Sequence, residues 1–194
     1  MIWRDNCLIG VETSITEKVI AGLIKFALNA KATCGKIEAK KILIHYKKGS
    51  FKMMKIEKKL YTATVNVQGG RDGKAVSDDN NLNVDLRYPK ELGGDGAGTN
   101  PEQLFAAGFA ACFQGAMGTV LRKKNIKTDG INIDSQVTLG KDANDGYVLA
   151  ITMDITVKGV ETSVAEEVVA EAHKVCPYAK ATQGNIEVIS NVVG

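Results

Sequence analysis

Beyond residue 59 the chain alternates apolar and polar positions in short runs, interrupted by two longer stretches of helical character. Leu60 to Gln68 sets Tyr61, Ala63, Val65 and Val67 against Thr62, Thr64, Asn66 and Gln68, the two-residue period of a half-buried strand. Gly69-Gly70-Arg71-Asp72-Gly73 reads as a turn. Ala75-Val76 and Leu82 to Leu86, joined through Asp78-Asp79-Asn80-Asn81, read as a hairpin. A second hairpin is predicted where Ile131 to Leu139 and Tyr147 to Val157 flank Asp142-Ala143-Asn144-Asp145-Gly146. Asn185 to Val193 predicts a closing strand.

Two helices fall between these strands. Asn100 is a good N-cap, Pro101 suits the first helical position, and Gln103 completes a capping box. From Leu104 to Met117 the sequence is apolar nearly all the way round, which requires burial on most faces. Its alanines and glycines let another backbone come close. Ser163 and Glu166 form a second capping box, with Val164, Val168, Ala172 and Val175 as the buried stripe and Pro177 as the stop. Strands on the flanks with helices between them predict an α+β fold with antiparallel sheets around two long helices, one largely buried. The Gly93 to Gly98 loop lacks the Lys-Ser/Thr of a phosphate loop and carries no nucleotide signature.

The first 53 residues differ in texture. Ser14-Ile15-Thr16-Glu17 resembles a capping box opening a helix, with Ile15, Val19, Leu23 and Phe26 on one face. Lysines are then dense from Lys36 to Lys59, and the composition changes at Met53-Met54. This divides the chain into residues 1–53, an extension, and residues 54–194, one domain. The extension is an upstream stretch from a misassigned start, a true appended helix, or a targeting peptide; the acids Asp5, Glu12 and Glu17 weigh against the last.

Charge and cysteine usage narrow the partners. The net charge of +3 over 194 residues resolves into +6 for residues 1–53 and −3 for the remainder. An acidic body is a poor match for phosphates, so a nucleic-acid partner is not expected. No membrane partner is expected either, because the run from Val19 to Ala30 is short and broken by Lys25. Four cysteines without a C-x-x-C pair fit neither a disulfide scaffold nor a zinc ribbon, and point to a reducing, cytoplasmic setting. Cys7, Cys34 and His45 have no metal-site spacing.

Cys112 lies in the middle of the apolar helix, where a small buried hydrophobe is the ordinary reading of a free cysteine. Cys176 lies at the end of the second helix, whose negative pole disfavours a thiolate. One mid-helix and one helix-end cysteine, 64 positions apart, suggest a reactive thiol and a resolving thiol. His173, three residues before Cys176, is either a Cys–His dyad partner or a partly exposed helix-surface histidine.

Gly98-Thr99-Asn100-Pro101-Glu102-Gln103-Leu104-Phe105-Ala106-Ala107-Gly108-Phe109-Ala110-Ala111-Cys112-Phe113 and Val175-Cys176-Pro177-Tyr178-Ala179-Lys180-Ala181-Thr182 resemble the two cysteine motifs of organic hydroperoxide resistance (Ohr) proteins of the Ohr/OsmC superfamily. Gly69 to Gly73 resembles the family's arginine turn, and Gln183-Gly184-Asn185-Ile186 its final strand entry. The resemblance spans about residues 56–193. It implies an intertwined homodimer with sites at the interface. It also implies thiol-dependent reduction of alkyl and fatty-acid hydroperoxides, with dihydrolipoyl groups on proteins as reductant. No metal, haem or flavin is implied.

On this resemblance Cys112 matches the peroxidatic cysteine, Cys176 the resolving cysteine, and Arg71 and Glu102 the polar pair that organises the thiolate. Cys112 would pass through a sulfenic acid and a disulfide with Cys176. Phe105, Phe109, Phe113 and Met117 are candidates to receive an alkyl chain. Alternatives are the OsmC branch of the superfamily, or a redox sensor or binding protein using the same cysteine pair.

Helix geometry constrains this constellation. Ten residues of α-helix span about 15 Å, too far for Glu102 to reach Cys112 along one straight helix. Either the helix breaks after Phe105, or Arg71 and Glu102 serve the Cys112 of another subunit. The small residues Ala106, Ala107, Gly108, Ala110, Ala111 and Gly115 would permit the close approach of that subunit.

Overall fold

The computed structural model describes residues 55–193. The capping box at Ser14, most of the Lys-rich connector, Cys7, Cys34, His45 and the proposed boundary at Met53-Met54 lie outside the described residues.

The first three strands are β1 (Val65–Gln68), β2 (Gly73–Ser77) and β3 (Asn83–Leu86), an antiparallel sheet in the order β1-β2-β3. The β1–β2 turn depends on Gly69 and Gly70, whose φ angles of 76° and 59° are costly for residues with a Cβ. A Cβ at Gly69 would also stand 2.8 Å from the Asp72 carbonyl oxygen. The turn therefore holds Arg71 at its tip. The β2–β3 turn is held by the Asp79 carboxylate, which accepts from the Ser77 hydroxyl at 2.6 Å and the Asn81 N–H at 3.0 Å.

A single 3-10 turn (Lys90–Leu92) and a glycine-rich loop lead into α1 (Pro101–Lys124). Then follow β4 (Gly130–Lys141), β5 (Tyr147–Lys158), α2 (Thr162–Val175), α3 (Pro177–Thr182) and β6 (Glu187–Val192). The two long hairpin strands pair antiparallel over twelve residues each. β6 returns beside β5 in parallel, the one parallel strand pairing in the two sheets described. A parallel neighbour needs a crossover, and α2 and α3 supply it.

The core forms between this sheet and the helices. Phe109, Phe113, Met117, Val120 and Leu121 of α1 meet Ile151, Met153, Ile155 and Val157 of β5 and Ala165, Val168, Val169 and Ala172 of α2. Each large side chain fully buried here contributes about 1.5–3 kcal/mol. By length and composition α1 is apolar enough to cross a membrane; its large apolar side chains pack into this core.

Several local expectations change. The strand predicted over Leu60–Gln68 shortens to Val65–Gln68 and is exposed rather than half-buried, because nothing described in the chain covers its apolar face: Val65 is 43% and Val67 54% exposed. On α1, Ala107, Ala111, Gln114 and Gly115 are exposed, so burial on most faces does not hold within one chain. The α2 cap is Glu161, whose carbonyl accepts from Val164 and Ala165 N–H; Ser163 lies inside the helix. The buried stripe of α2 is accordingly Ala165, Val168, Val169 and Ala172, while Val164 is half-buried and Val175 is exposed. Pro177 does not merely stop α2. It opens α3 at the first helical position.

Candidate functional site

The entry to α1 keeps one half of the capping box that its sequence implies. Asn100 is extended (φ −144°, ψ 165°), is buried, and its Oδ1 accepts the Gln103 N–H at 2.9 Å. The reciprocal half of the box is absent, since Gln103 Oε1 accepts the Thr99 hydroxyl at 2.8 Å instead. From this cap α1 runs unbroken from Pro101 to Lys124, so no break after Phe105 brings Glu102 back. Glu102 sits in the first turn, where the helix dipole favours a carboxylate.

Glu102 faces the tip of the β1–β2 turn. Arg71 Nη1 donates to Glu102 Oε2 at 2.7 Å and Nη2 to Oε1 at 2.6 Å, a bidentate pair within one chain. The hydrogen bonds from Arg71 hold the Glu102 carboxyl below the usual carboxylate range, and the same bonds raise Arg71 further. The pair lines an open cleft of about 600 Å³ with Phe105, Leu139, Tyr147, Val148, Leu149 and Ile186.

The two cysteines meet nearly three turns further along α1. Cys112 is partly exposed rather than buried, and Cys176 is wholly buried; the Cys176 thiol points at Cys112 Sγ across 3.6 Å. Cys176 belongs to two helices at once. Its N–H closes α2 on the Ala172 carbonyl, and its carbonyl begins α3 by accepting from Lys180. Desolvation leaves the Cys176 thiol raised, and the backbone N–H groups of Ala179 and Tyr178 offset only part of that. The expectation that Cys176 meets only the negative end of a helix is therefore incomplete, because those donors belong to the start of the next one.

His173 does not bond either cysteine. Its Nε2 lies 3.0 Å from Ser190 Oγ, its ring meets Phe113 edge-on at 4.7 Å, and burial holds the imidazole below its usual range. The dyad is not formed. The surface reading is amended too, since the ring is half-buried against β6.

Of the four apolar candidates, Phe105 alone lines the cleft. Phe109, Phe113 and Met117 have no exposure and belong to the core. The residues that replace them are Leu139, Tyr147, Val148, Leu149 and Ile186, which carry no chemical signal in sequence. Tyr178 was also overlooked. Its ring stacks on Phe105 at 6.4 Å and tilts against Phe109 at 6.0 Å, linking the Cys176 segment to the cleft wall. Its place directly after Cys-Pro in the second cysteine motif could have drawn notice.

Two sulfurs at this distance can close a disulfide after a shift of about 1.5 Å. No group of three or more His, Cys, Asp or Glu among the described residues is arranged to hold a metal.

Comparison with known proteins adds to this geometry. Residues 93–191 match the family model described as OsmC-like protein. The chain is 48% identical over 134 residues to an organic hydroperoxide resistance protein of Xanthomonas axonopodis pv. citri, covering 68% of this chain and 94% of that one. A crystal structure of an organic hydroperoxide resistance protein from Legionella pneumophila superimposes with a TM-score of 0.68 at 41% identity, over 71% of this chain and 100% of that chain. The OhrB structure from Bacillus subtilis gives 0.63 at 43% identity, over 69% and 98%.

Proposed function

The chain belongs to the OsmC-like family, with organic hydroperoxide resistance proteins as its near relatives, and on that premise we propose that it is a peroxide-defence enzyme, a thiol peroxidase for organic hydroperoxides. The observation that carries the reading is the 3.6 Å approach of Cys112 to Cys176, one sulfur reachable from solvent and the other enclosed.

The Cys112 thiolate attacks one peroxide oxygen; the O–O bond breaks, an alcohol leaves, and Cys112 becomes a sulfenic acid. The Cys176 thiol condenses with it, releasing water and forming the disulfide. An external dithiol, such as a dihydrolipoyl group, returns both sulfurs to thiols and is itself oxidised to a disulfide. No bound cofactor or metal enters this cycle. Cytoplasmic surroundings would keep both cysteines reduced at rest.

Arg71 and Glu102 supply the charged wall of the site. A guanidinium is permanently cationic, so it can orient a peroxide oxygen and favour an adjacent thiolate; Glu102 holds it in place and offsets its desolvation. Within one chain this pair lies about 15 Å along α1 from Cys112. It therefore serves the Cys112 of a second subunit, in a homodimer. The uncovered apolar side chains of β1 and the small-residue face of α1 support that assembly. The cleft's apolar wall suits an alkyl chain better than hydrogen peroxide.

Steady-state assay with a dithiol tests the reading. Cumene hydroperoxide should turn over much faster than hydrogen peroxide, and Cys112→Ser should lose turnover altogether. A single stoichiometric oxidation without turnover would identify a sensor instead. Undiminished activity in Cys112→Ser would overturn the assignment.

A further inference from the structure

We infer that the reductant opens the Cys112–Cys176 disulfide by attacking the Cys112 sulfur, with Cys176 as the leaving group. This rests on the proposed cycle only in taking that disulfide as its oxidised form.

Thiol–disulfide exchange requires the incoming sulfur to approach one disulfide sulfur in line with the bond being broken, so access decides which sulfur reacts. Cys176 has no exposed surface; it lies in the same core cluster as Val168, Val169, Ala172 and Ala179. The far side of its sulfur faces protein. Cys112 is partly exposed on α1, and the proposed cycle already requires that a hydroperoxide reach its sulfur, so an approach to Cys112 stays open in the working enzyme. Closing 3.6 Å to a disulfide length of about 2 Å moves each sulfur by less than about 1 Å if they share the shift, too little to lift Cys176 into solvent.

The surroundings of Cys176 also suit a departing thiolate. The backbone N–H groups of Ala179 and Tyr178, in the first turn of α3, favour the charged form of Cys176 and would help to receive charge as the S–S bond breaks. Burial works the other way, raising the Cys176 thiol. That opposition is weak, because a tenfold difference in thiol acidity changes exchange rates by about threefold at a Brønsted coefficient near 0.5. Occlusion of one sulfur outweighs it.

The step balances as follows. One thiolate of an aliphatic dithiol bonds to Cys112 Sγ; the S–S electron pair goes to Cys176 Sγ, which then takes a proton. The second thiol of the reductant attacks its own sulfur in the mixed disulfide. It expels the Cys112 thiolate and leaves as a cyclic disulfide. The protein is reduced by two electrons and the dithiol oxidised by two.

The test uses the full chain with its disulfide made by diamide, which needs no peroxidase activity. The folded protein is mixed with excess cysteamine, a monothiol, quenched in acid after short times and digested with pepsin at acid pH, where exchange is frozen. Mass spectrometry should find the cysteamine adduct on the Cys112 peptide in more than about tenfold excess over the Cys176 peptide. An adduct mainly on Cys176 would overturn the inference. So would a disulfide that cysteamine opens only after unfolding, or one that diamide cannot form. If cumene hydroperoxide fails to make the disulfide while diamide succeeds, the peroxidase reading falls and the order of attack stands.

Discussion

The Arg71 guanidinium grips the Glu102 carboxylate through two parallel hydrogen bonds of 2.7 and 2.6 Å, joining a turn tip to a helix start 31 positions away. It ties the β1–β3 sheet to α1, which makes it a structural clasp as well as a charged wall. Because its bonds hold the Glu102 carboxyl low, the stabilisation is fully present above the unfolded glutamate value of about 4.3 and is lost as pH falls through the lower folded value. Glu102→Gln should cost about 1–2 kcal/mol near neutral pH, with the deficit shrinking toward zero in acid. Paired denaturant melts from neutral pH to pH 3 measure it; a deficit independent of pH would show that the carboxylate's charge contributes nothing.

Removing the resolving partner isolates one half of the cycle. Cys176→Ser should reduce one equivalent of organic hydroperoxide and then accumulate sulfinic and sulfonic acid on Cys112 under excess peroxide. Peptide mass mapping distinguishes this from the wild type, which should stop at the disulfide. A variant that turns over at the wild-type rate with dithiol would remove Cys176 from the mechanism.

Gly108 leaves room for Tyr178. A Cβ there would stand 3.2 Å from Tyr178 Cε2 and 3.4 Å from its hydroxyl. Alanine gains about 1 kcal/mol of helix propensity, while the ring, 41% exposed, can yield by a few tenths of an ångström. Gly108→Ala should therefore match or slightly exceed the wild type in stability. Its disulfide should close more slowly, because Tyr178 sits two residues from Cys176. Stopped-flow oxidation with cumene hydroperoxide checks this; an unchanged rate would separate Tyr178 from the cysteine joint.

Sharing of sites between subunits has a direct assay. Cys112→Ser and Glu102→Ala proteins, each inactive alone, should regain activity when mixed under conditions that let subunits exchange. One heterodimer site then has both an intact thiol and an intact ion pair. Gly115→Leu supplies a second arm, since a Cβ at Gly115 meets nothing within 4 Å in the single chain. It should leave the subunit folded but shift its elution from dimer to monomer. Activity that never rises on mixing would sink the shared site.

The parts of this molecule that were legible in sequence are those set by local chemistry. Asn100 capping Gln103, the glycines under Arg71 and the Asp142–Gly146 turn each involve neighbours within a few positions. What escaped was the phase of α1. Its apolar residues run nearly all round, so periodicity could not tell that Phe109 and Phe113 face the core while Phe105 faces the cleft. Burial of β1 was overestimated for a related reason: alternation marks an apolar face but not whether the same chain covers it. The Arg71–Glu102 and Cys112–Cys176 proximities depend on tertiary packing across 31 and 64 positions. The motif resemblance alone joins Arg71 to Glu102 in sequence, whereas Cys112 and Cys176 are also paired by their mid-helix and helix-end positions. Leu139 and Tyr147 could not be foreseen, because an apolar wall made by a hairpin shares its residue types with any strand.

The cysteine geometry reaches past catalysis into folding thermodynamics. A bond between Cys112 and Cys176 would close a loop of about 64 residues, and the entropy removed from the unfolded chain amounts to about 4 kcal/mol in the chain-entropy description. Oxidation should thus make the protein harder to unfold, and reduction should return that stability. Linkage also runs the other way: the folded state favours the disulfide by the same free energy, so the dithiol must reduce a bond the fold itself protects. Each turnover would move the chain between a more stable and a less stable fold, and a denaturant midpoint would read its redox state as surely as a thiol titration.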